Sequence, residues 1–254
     1  MKYYVGIDIG GTKIAYGLFD EKRNLLQKKQ TASDDKKEAE EFFSPVIDMI
    51  HEFMQEAEKQ GGSVEGIGIG ITGFVDFEKG ALTRTASLPK LNNFPVVDYL
   101  KSRLNQDVRI AMDNDCHCGA LAEYRHGVGK GRKNMLYCPV STGISTGMIL
   151  DGRLFRGSNG ASGESGHMIA AVPEEIRMDC SCGNAGCFNS LCSGKAIINY
   201  VRKWIEQGES SILPELAGGM ENITARHLNE AYEKGDAVAR RAVEQMAHYH
   251  AIWI

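Results

Sequence analysis

The sequence predicts an α/β protein built from two related halves, on three observations. Short β-rich runs alternate with amphipathic helical stretches along the 254 residues. A strand, a turn of small residues and a second strand occur at residues 2–19 and again at 135–150. Two such hairpins so far apart imply a duplicated architecture that holds phosphates between its halves. The chain is also 43% hydrophobic and 24% charged, an ordinary globular composition.

Residues 2–9, KYYVGIDI, read as a buried strand running into Gly10-Gly11-Thr12-Lys13. Residues 14–19, IAYGLF, read as its partner, with a turn over 20–24. Strand, glycine turn, strand is a hairpin rather than the strand–turn–helix of a dinucleotide or Walker loop. Bare backbone N–H groups in such a turn approach phosphate oxygens closely, and Asp8 beside it suits a magnesium ion held through water. An ordinary hairpin turn is the alternative.

Residues 36–60 repeat apolar side chains at helical spacing, at Phe42, Phe43, Val46, Ile47, Ile50, Phe53 and Met54, and the aromatics among them are predicted core. IGIGI at 67–71 reads as a buried strand ending in a turn at Thr72-Gly73, 81–95 as irregular, 96–105 as a short helix and 108–112 as a strand. That strand ends in Asp113-Asn114-Asp115, and carboxylates at the carboxyl end of a buried strand lie where α/β sheets place ligands. On an extended chain Asp113 and Asp115 share a face, with Asn114 pointing away. One aspartate there could act as a general base and the amide could bind a hydroxyl. A helix N-cap for 116–125 is a second role open to the triplet.

Residues 135–140 form the next predicted strand, followed by Ser141-Thr142-Gly143-Ile144-Ser145-Thr146-Gly147, a strand at 148–150 and a turn at Asp151-Gly152. Helices are expected over 195–207 and 224–250, with Ala231, Ala239, Ala242 and Met246 as a packed face and 208–220 as a loop.

Between them lies GESGHMIAAVPEEIRMDCSCGNAGCFNSLCSG. His167, Cys180, Cys182 and Cys187 make the one-histidine, three-cysteine set of a closed structural zinc site. Gly183 and Gly186 would supply the positive φ that so tight a turn requires. Unrelated buried thiols and disulfides are the competing readings. The cysteine count of seven is odd and no signal-peptide pattern opens the chain, which favours a reducing, cytoplasmic setting. No apolar run approaches the ~18 residues of a membrane span. A net charge of −4 without a dense basic cluster speaks against a nucleic-acid partner.

In this order GIDIGGTKI, GITGFVD, DND with ALAE, STGISTG, GESGH and CSCGNAGC resemble the ROK family of bacterial sugar kinases and related repressors, over essentially the whole chain. The resemblance implies a two-domain actin-like ATPase fold (ribonuclease H-like), with domains over 1–114 and 115–254 and a zinc loop in the second. It implies an ATP-dependent kinase that phosphorylates the 6-hydroxyl of glucose, N-acetylmannosamine or a β-glucoside. Asp115 would be the base and Asn114, Glu164, His167 and Asn189 sugar ligands. Asp8 and Gly10, Gly11, Thr12 and Lys13 would form the first phosphate motif with magnesium, and Thr142 and Gly143 the second. His167, Cys180, Cys182 and Cys187 would hold zinc. A homodimer is expected from the resemblance alone.

Three departures stand out. His117 replaces the family's usual Asn, Asn189 replaces its usual Glu, and the continuation expected after 236–252, with a Gly-Gly motif for adenosine, does not follow Ile254. A shortened chain or a weak, sugar-binding protein fits the last point. A sugar-responsive repressor is disfavoured, because the first hairpin begins within ten residues of Met1.

Overall fold

The computed structural model describes residues 1–104 and 107–254. They divide into two units, Met1–Tyr137 with Gly147–Ser162, and Cys138–Thr146 with Gly163–Ile254.

The first unit contains β1 (Lys2–Ile9), β2 (Lys13–Asp20), β3 (Leu25–Ala32), α1 (Ala39–Lys59), β4 (Ser63–Ile71), β5 (Phe74–Asp76), β6 (Ala81–Arg84), α2 (Val96–Arg103), β7 (Arg109–Asn114), α3 (Asp115–His126), β8 (Met135–Tyr137), β9 (Gly147–Leu150) and β10 (Arg153–Phe155). Its main sheet has the order β3-β2-β1-β4-β7 and is mixed. β1 is antiparallel to β2 and parallel to β4, which is parallel to β7. In this register Asp8, Gly70 and Asp113 are neighbours across three strands, as are Ile9, Ile71 and Asn114. One sheet edge therefore collects the carboxyl ends of all three parallel strands.

Alternation decides the sheet's two faces. Ile67, Ile69 and Ile71 join Phe42, Phe43, Val46, Ile50 and Phe53 of α1 in one core, as their spacing predicts. The glycines of IGIGI face the other way. There a Cβ on Gly70 would lie 3.6 Å from the Asp115 Cα, so the first turn of α3 sits directly on β4. This face also carries an open concavity of about 1070 Å³, lined by Tyr4, Gly6, Gly66, Gly68 and Ala111 of the sheet and by Ala122 and His126 of α3. It lies at residues other than the carboxylates of the triplet.

The expected hairpin over 2–19 forms, closed by the Gly10 N–H donating to the Lys13 carbonyl at 3.0 Å. The second hairpin also forms, as β8 antiparallel to β9, although its first strand stops at Tyr137 rather than 140. Several expectations need correction. The stretch 81–95 is not irregular: β6 pairs with β5, and Pro89–Leu91 makes a 3-10 turn. β3, LLQKKQTA, went unpredicted because it alternates half-buried with exposed polar residues and so carries no apolar period. The helix start at 36 moves to Ala39, and the expected helix end at Asn105 lies outside the described residues.

The second unit is mainly helical among its described residues, with α4 (Phe188–Cys192), α5 (Gly194–Glu206), α6 (Leu213–Ala217), α7 (Ala225–Glu233) and α8 (Ala237–Trp253). The loop expected over 208–220 thus contains α6. The single helix expected over 224–250 is two, broken at Lys234–Asp236, where Asp236 caps α8 by accepting from the Ala239 N–H at 2.8 Å. Ala231, Ala239 and Ala242 are fully buried, with Met246 packed beside them, as predicted. No helix among the described residues is long and apolar enough to cross a membrane.

Candidate active site and metal cluster

Asp113-Asn114-Asp115 does not remain extended. The chain turns into α3 after Asn114, so Asp113 is buried while Asp115 is exposed, and the two do not share a face. The N-cap is Asn114. Its Oδ1 accepts from the backbone N–H groups of Cys116 at 2.9 Å and His117 at 3.2 Å, two of the donors a helix start leaves unpaired. Its Nδ2 donates to the Gly73 carbonyl at 3.0 Å, which ties the turn after β4 to α3.

Protein packed around Asp115 desolvates its carboxyl and raises its pKa, and the Asp8 carboxylate pushes the same way. The N–H of Cys116, donating at 2.8 Å, opposes this. Asp113 behaves oppositely. Burial works against its charge, but hydrogen bonds from His117 and Arg156 outweigh it and hold its pKa below the usual carboxylate value. Carboxylates two residues apart with pKa values moved in opposite directions mark a candidate site for acid–base chemistry.

Gly10–Lys13 follow β1 at the same sheet edge. A Cβ on Gly11 would stand 2.8 Å from the Ser87 Cβ, so only glycine permits this close approach. Neither Ser87 nor Arg156 is evident from the sequence, because the first depends on a loop's path and the second on a contact 43 residues away.

The remaining expected residues lie in the second unit. Thr142 and Gly143 are exposed on a turn where the Ser141 N–H donates to the Gly143 carbonyl at 2.9 Å. Asn189 joins this turn, its Oδ1 accepting from the Ile144 N–H at 3.1 Å. Glu164 Oε2 lies 3.8 Å from His167 Nε2.

One ligand atom from each of His167, Cys180, Cys182 and Cys187 lies within 4.8 Å of the others. His167 Nδ1 is 3.4 Å from Cys180 Sγ, and the Cys182 and Cys187 sulfurs are 3.7 Å apart. A tetrahedral zinc with ordinary bond lengths requires roughly 3.6 Å and roughly 3.8 Å for such pairs. The donor set therefore fits zinc, and all seven cysteines are free of disulfides. Gly183 and Gly186 take φ of +94° and +79°, the backbone expected of them. The Asn184 backbone N–H stabilises the Cys182 thiolate, bringing its pKa down to about 6, while burial pushes Cys187 up to about 12. A cation would resolve this mismatch by holding both as thiolates.

The ROK family profile matches residues 4–254. This chain belongs to the ROK family. A glucokinase of Thermotoga maritima is 31% identical over 237 residues, which cover 92% of this chain and 71% of that protein. An N-acetyl-D-glucosamine kinase of Salmonella paratyphi B is 29% identical over 98% of this chain and 77% of that one. A xylose repressor of Caldicellulosiruptor bescii is 27% identical, covering 98% of this chain and 61% of the repressor. Among solved structures, a ROK family glucokinase from Streptomyces griseus, in complex with glucose and AMPPNP, superposes with a TM-score of 0.77 at 30% identity. That match covers 97% of this chain and 76% of the other. The α/β fold with its mixed sheet is thus the fold of ROK sugar kinases.

Proposed function

We propose that this ROK protein is an ATP-dependent sugar kinase that transfers a phosphoryl group to the 6-hydroxyl of a hexose or hexose derivative, with Asp115 as general base. The observation that carries the reading is Asp115 itself. It is an accessible carboxylate of raised proton affinity, held at a helix start on the carboxyl edge of a parallel sheet, in a chain whose kinase relatives align along nearly all of it.

Phosphoryl transfer depends mostly on positioning and charge neutralisation. Asp115 orients the attacking hydroxyl and accepts its proton as the bond to phosphorus forms. Asn114, whose amide is fixed by the helix cap and by Gly73, and Glu164, His167 and Asn189 bind sugar hydroxyls. Gly10, Gly11, Thr12 and Lys13, with Thr142 and Gly143, offer backbone N–H and hydroxyl donors to phosphates. Asp8 and Asp115 already repel one another electrostatically, and such unbalanced negative charge suits magnesium near Asp8. Magnesium neutralises phosphate charge when bound. His167, Cys180, Cys182 and Cys187 hold zinc, which ties the His167 segment to the cysteine loop. In this reading 1–114 and 115–254 are the two actin-like halves, and the chain works as a homodimer.

The test is ADP release with magnesium and ATP across glucose, N-acetylglucosamine, N-acetylmannosamine and cellobiose. Turnover on one sugar that Asp115→Asn abolishes supports the kinase. The repressor relative supports a second reading, a sugar-binding regulator. Sugar binding by calorimetry without turnover on any of the four would favour it.

A further inference from the structure

Behind Asp115 lies a buried polar cluster that the proposed transfer leaves without a role. Asp113 and His117 are only 6% and 1% exposed. His117 Nδ1 lies 2.9 Å from Asp113 Oδ1, which also accepts from the Asn114 N–H at 2.8 Å. Arg156 Nε donates to Asp113 Oδ2 at 2.8 Å, and its guanidinium lies over the Phe77 ring, 3.8 Å from the centroid. On its other side His117 Nε2 faces the Ser162 hydroxyl at 3.3 Å and the Ser162 carbonyl at 3.4 Å.

Hydroxyl, imidazole and carboxylate in series resemble a nucleophilic serine, but the Ser162 hydroxyl has one proton and donates it to the Phe155 carbonyl. With that proton engaged, imidazole cannot act as the base that activates it. The cluster instead braces the turn on which Asp115 stands. Asp113 is held by a cation on β10's outgoing loop and by an imidazole one turn along α3. Asn114, between the two aspartates, is held through its N–H by Asp113 and through its side chain by α3 and Gly73.

We propose that Asp113, His117 and Arg156 form a clamp that sets the position of Asp115, making all three positioning residues for the transfer. The proposal rests on the kinase reading of Asp115. The clamp also accounts for the histidine at 117. An asparagine amide branches from Cγ where Nδ1 of histidine stands, so it reproduces the bond to Asp113. A glutamine amide reaches instead toward the place of Nε2.

Misplacing a reacting group by about 1 Å costs on the order of 100-fold in rate. His117→Ala and Asp113→Asn should therefore each lower kcat about 10- to 100-fold while the sugar KM changes less than about threefold. Their combination should be no worse than the poorer single variant, as expected for partners in one network. His117→Asn should stay within about threefold of wild type, and His117→Gln should resemble His117→Ala. The assay is ADP release with magnesium and ATP on the sugar that turns over, with folding checked by circular dichroism. A His117→Ala enzyme within twofold of wild type, or Asn and Gln variants that behave alike, would overturn the clamp. If the wild-type protein turns over none of the sugars, the kinase reading fails separately. Amide hydrogen exchange over 114–118 then decides the clamp: faster exchange in Asp113→Asn than in wild type supports it, and equal exchange refutes it.

Discussion

Asp115 and Asp113 are two residues apart and their pKa values are shifted in opposite directions, and this makes pH a direct probe of the site. In the proposed reading Asp115 is the general base, which works only when ionised, so activity should fall as pH drops through its raised pKa. The Asp8 carboxylate contributes to that rise, so Asp8→Asn should move the acid limb of kcat/KM to lower pH on whatever activity remains. A limb that stays in place would exclude Asp8 as a cause. Asp113 is depressed, so its contribution to stability is fully present above the unfolded value of about 3.9 and is lost as pH falls through its lower folded value. In Asp113→Asn this acid-dependent part of the unfolding free energy should disappear from urea titrations between neutral pH and pH 3. Asn189 supplies another residue-scale test. Its amide bonds the Ile144 N–H and carries no charge, so in the proposed sugar site it would demand a hydroxyl less strongly than glutamate would. Asn189→Glu should shift preference toward free glucose over β-glucosides, and unchanged specificity ratios would remove that role.

At the scale of elements, the start of α3 concentrates two functions in Asn114. Asn114→Ala removes the cap, at about 1 kcal/mol. It also strips the Gly73 carbonyl of its donor, so a total loss of about 1–3 kcal/mol is expected in urea denaturation. A loss below about 0.5 kcal/mol would show that the cap is dispensable. The cysteine loop illustrates how legible an element can be without regular structure. Its candidate ligands and its two turn glycines follow from residue type and spacing, because the proposed tetrahedral zinc site would require both. Other elements were hidden for physical reasons. β3 has no apolar face to reveal it, and α4 and α6 are only five residues long, too short for a helical period. Asp113 and Asp115 lost their shared face because Asn114 capped a helix where an extended chain was expected.

For the whole molecule, the separation into two units gives a spectroscopic handle. Both tryptophans, Trp204 and Trp253, are buried in the second unit, in the clusters around α5 and α8. The second of these clusters includes Phe188 and Leu191 of α4, which begins directly after Cys187, a candidate ligand. With the proposed zinc site filled, stripping it with a strong chelator should therefore lower the melting temperature reported by tryptophan fluorescence. Among the described residues the core of α1 and the five-stranded sheet contains no tryptophan and none of the four candidate ligands, so it should be affected less. Fluorescence that is insensitive to chelation, in protein shown by elemental analysis to contain zinc, would contradict this coupling.

Strand and helix periods, the paired glycine hairpins, the core of α1 and the clustering candidates His167, Cys180, Cys182 and Cys187 follow from sequence, since each rests on local spacing and side-chain chemistry. Family membership follows from the order of motifs. Tertiary structure alone decided which carboxylate is buried and which is open, because that depends on where the chain turns after β7 and on Arg156 arriving from 43 residues away. It also decided that His117 serves Asp113 and that Asn189 bonds Ile144. Long-range partners leave no period in the sequence, and burial of a charge can be read only once its counter-charges have been brought beside it.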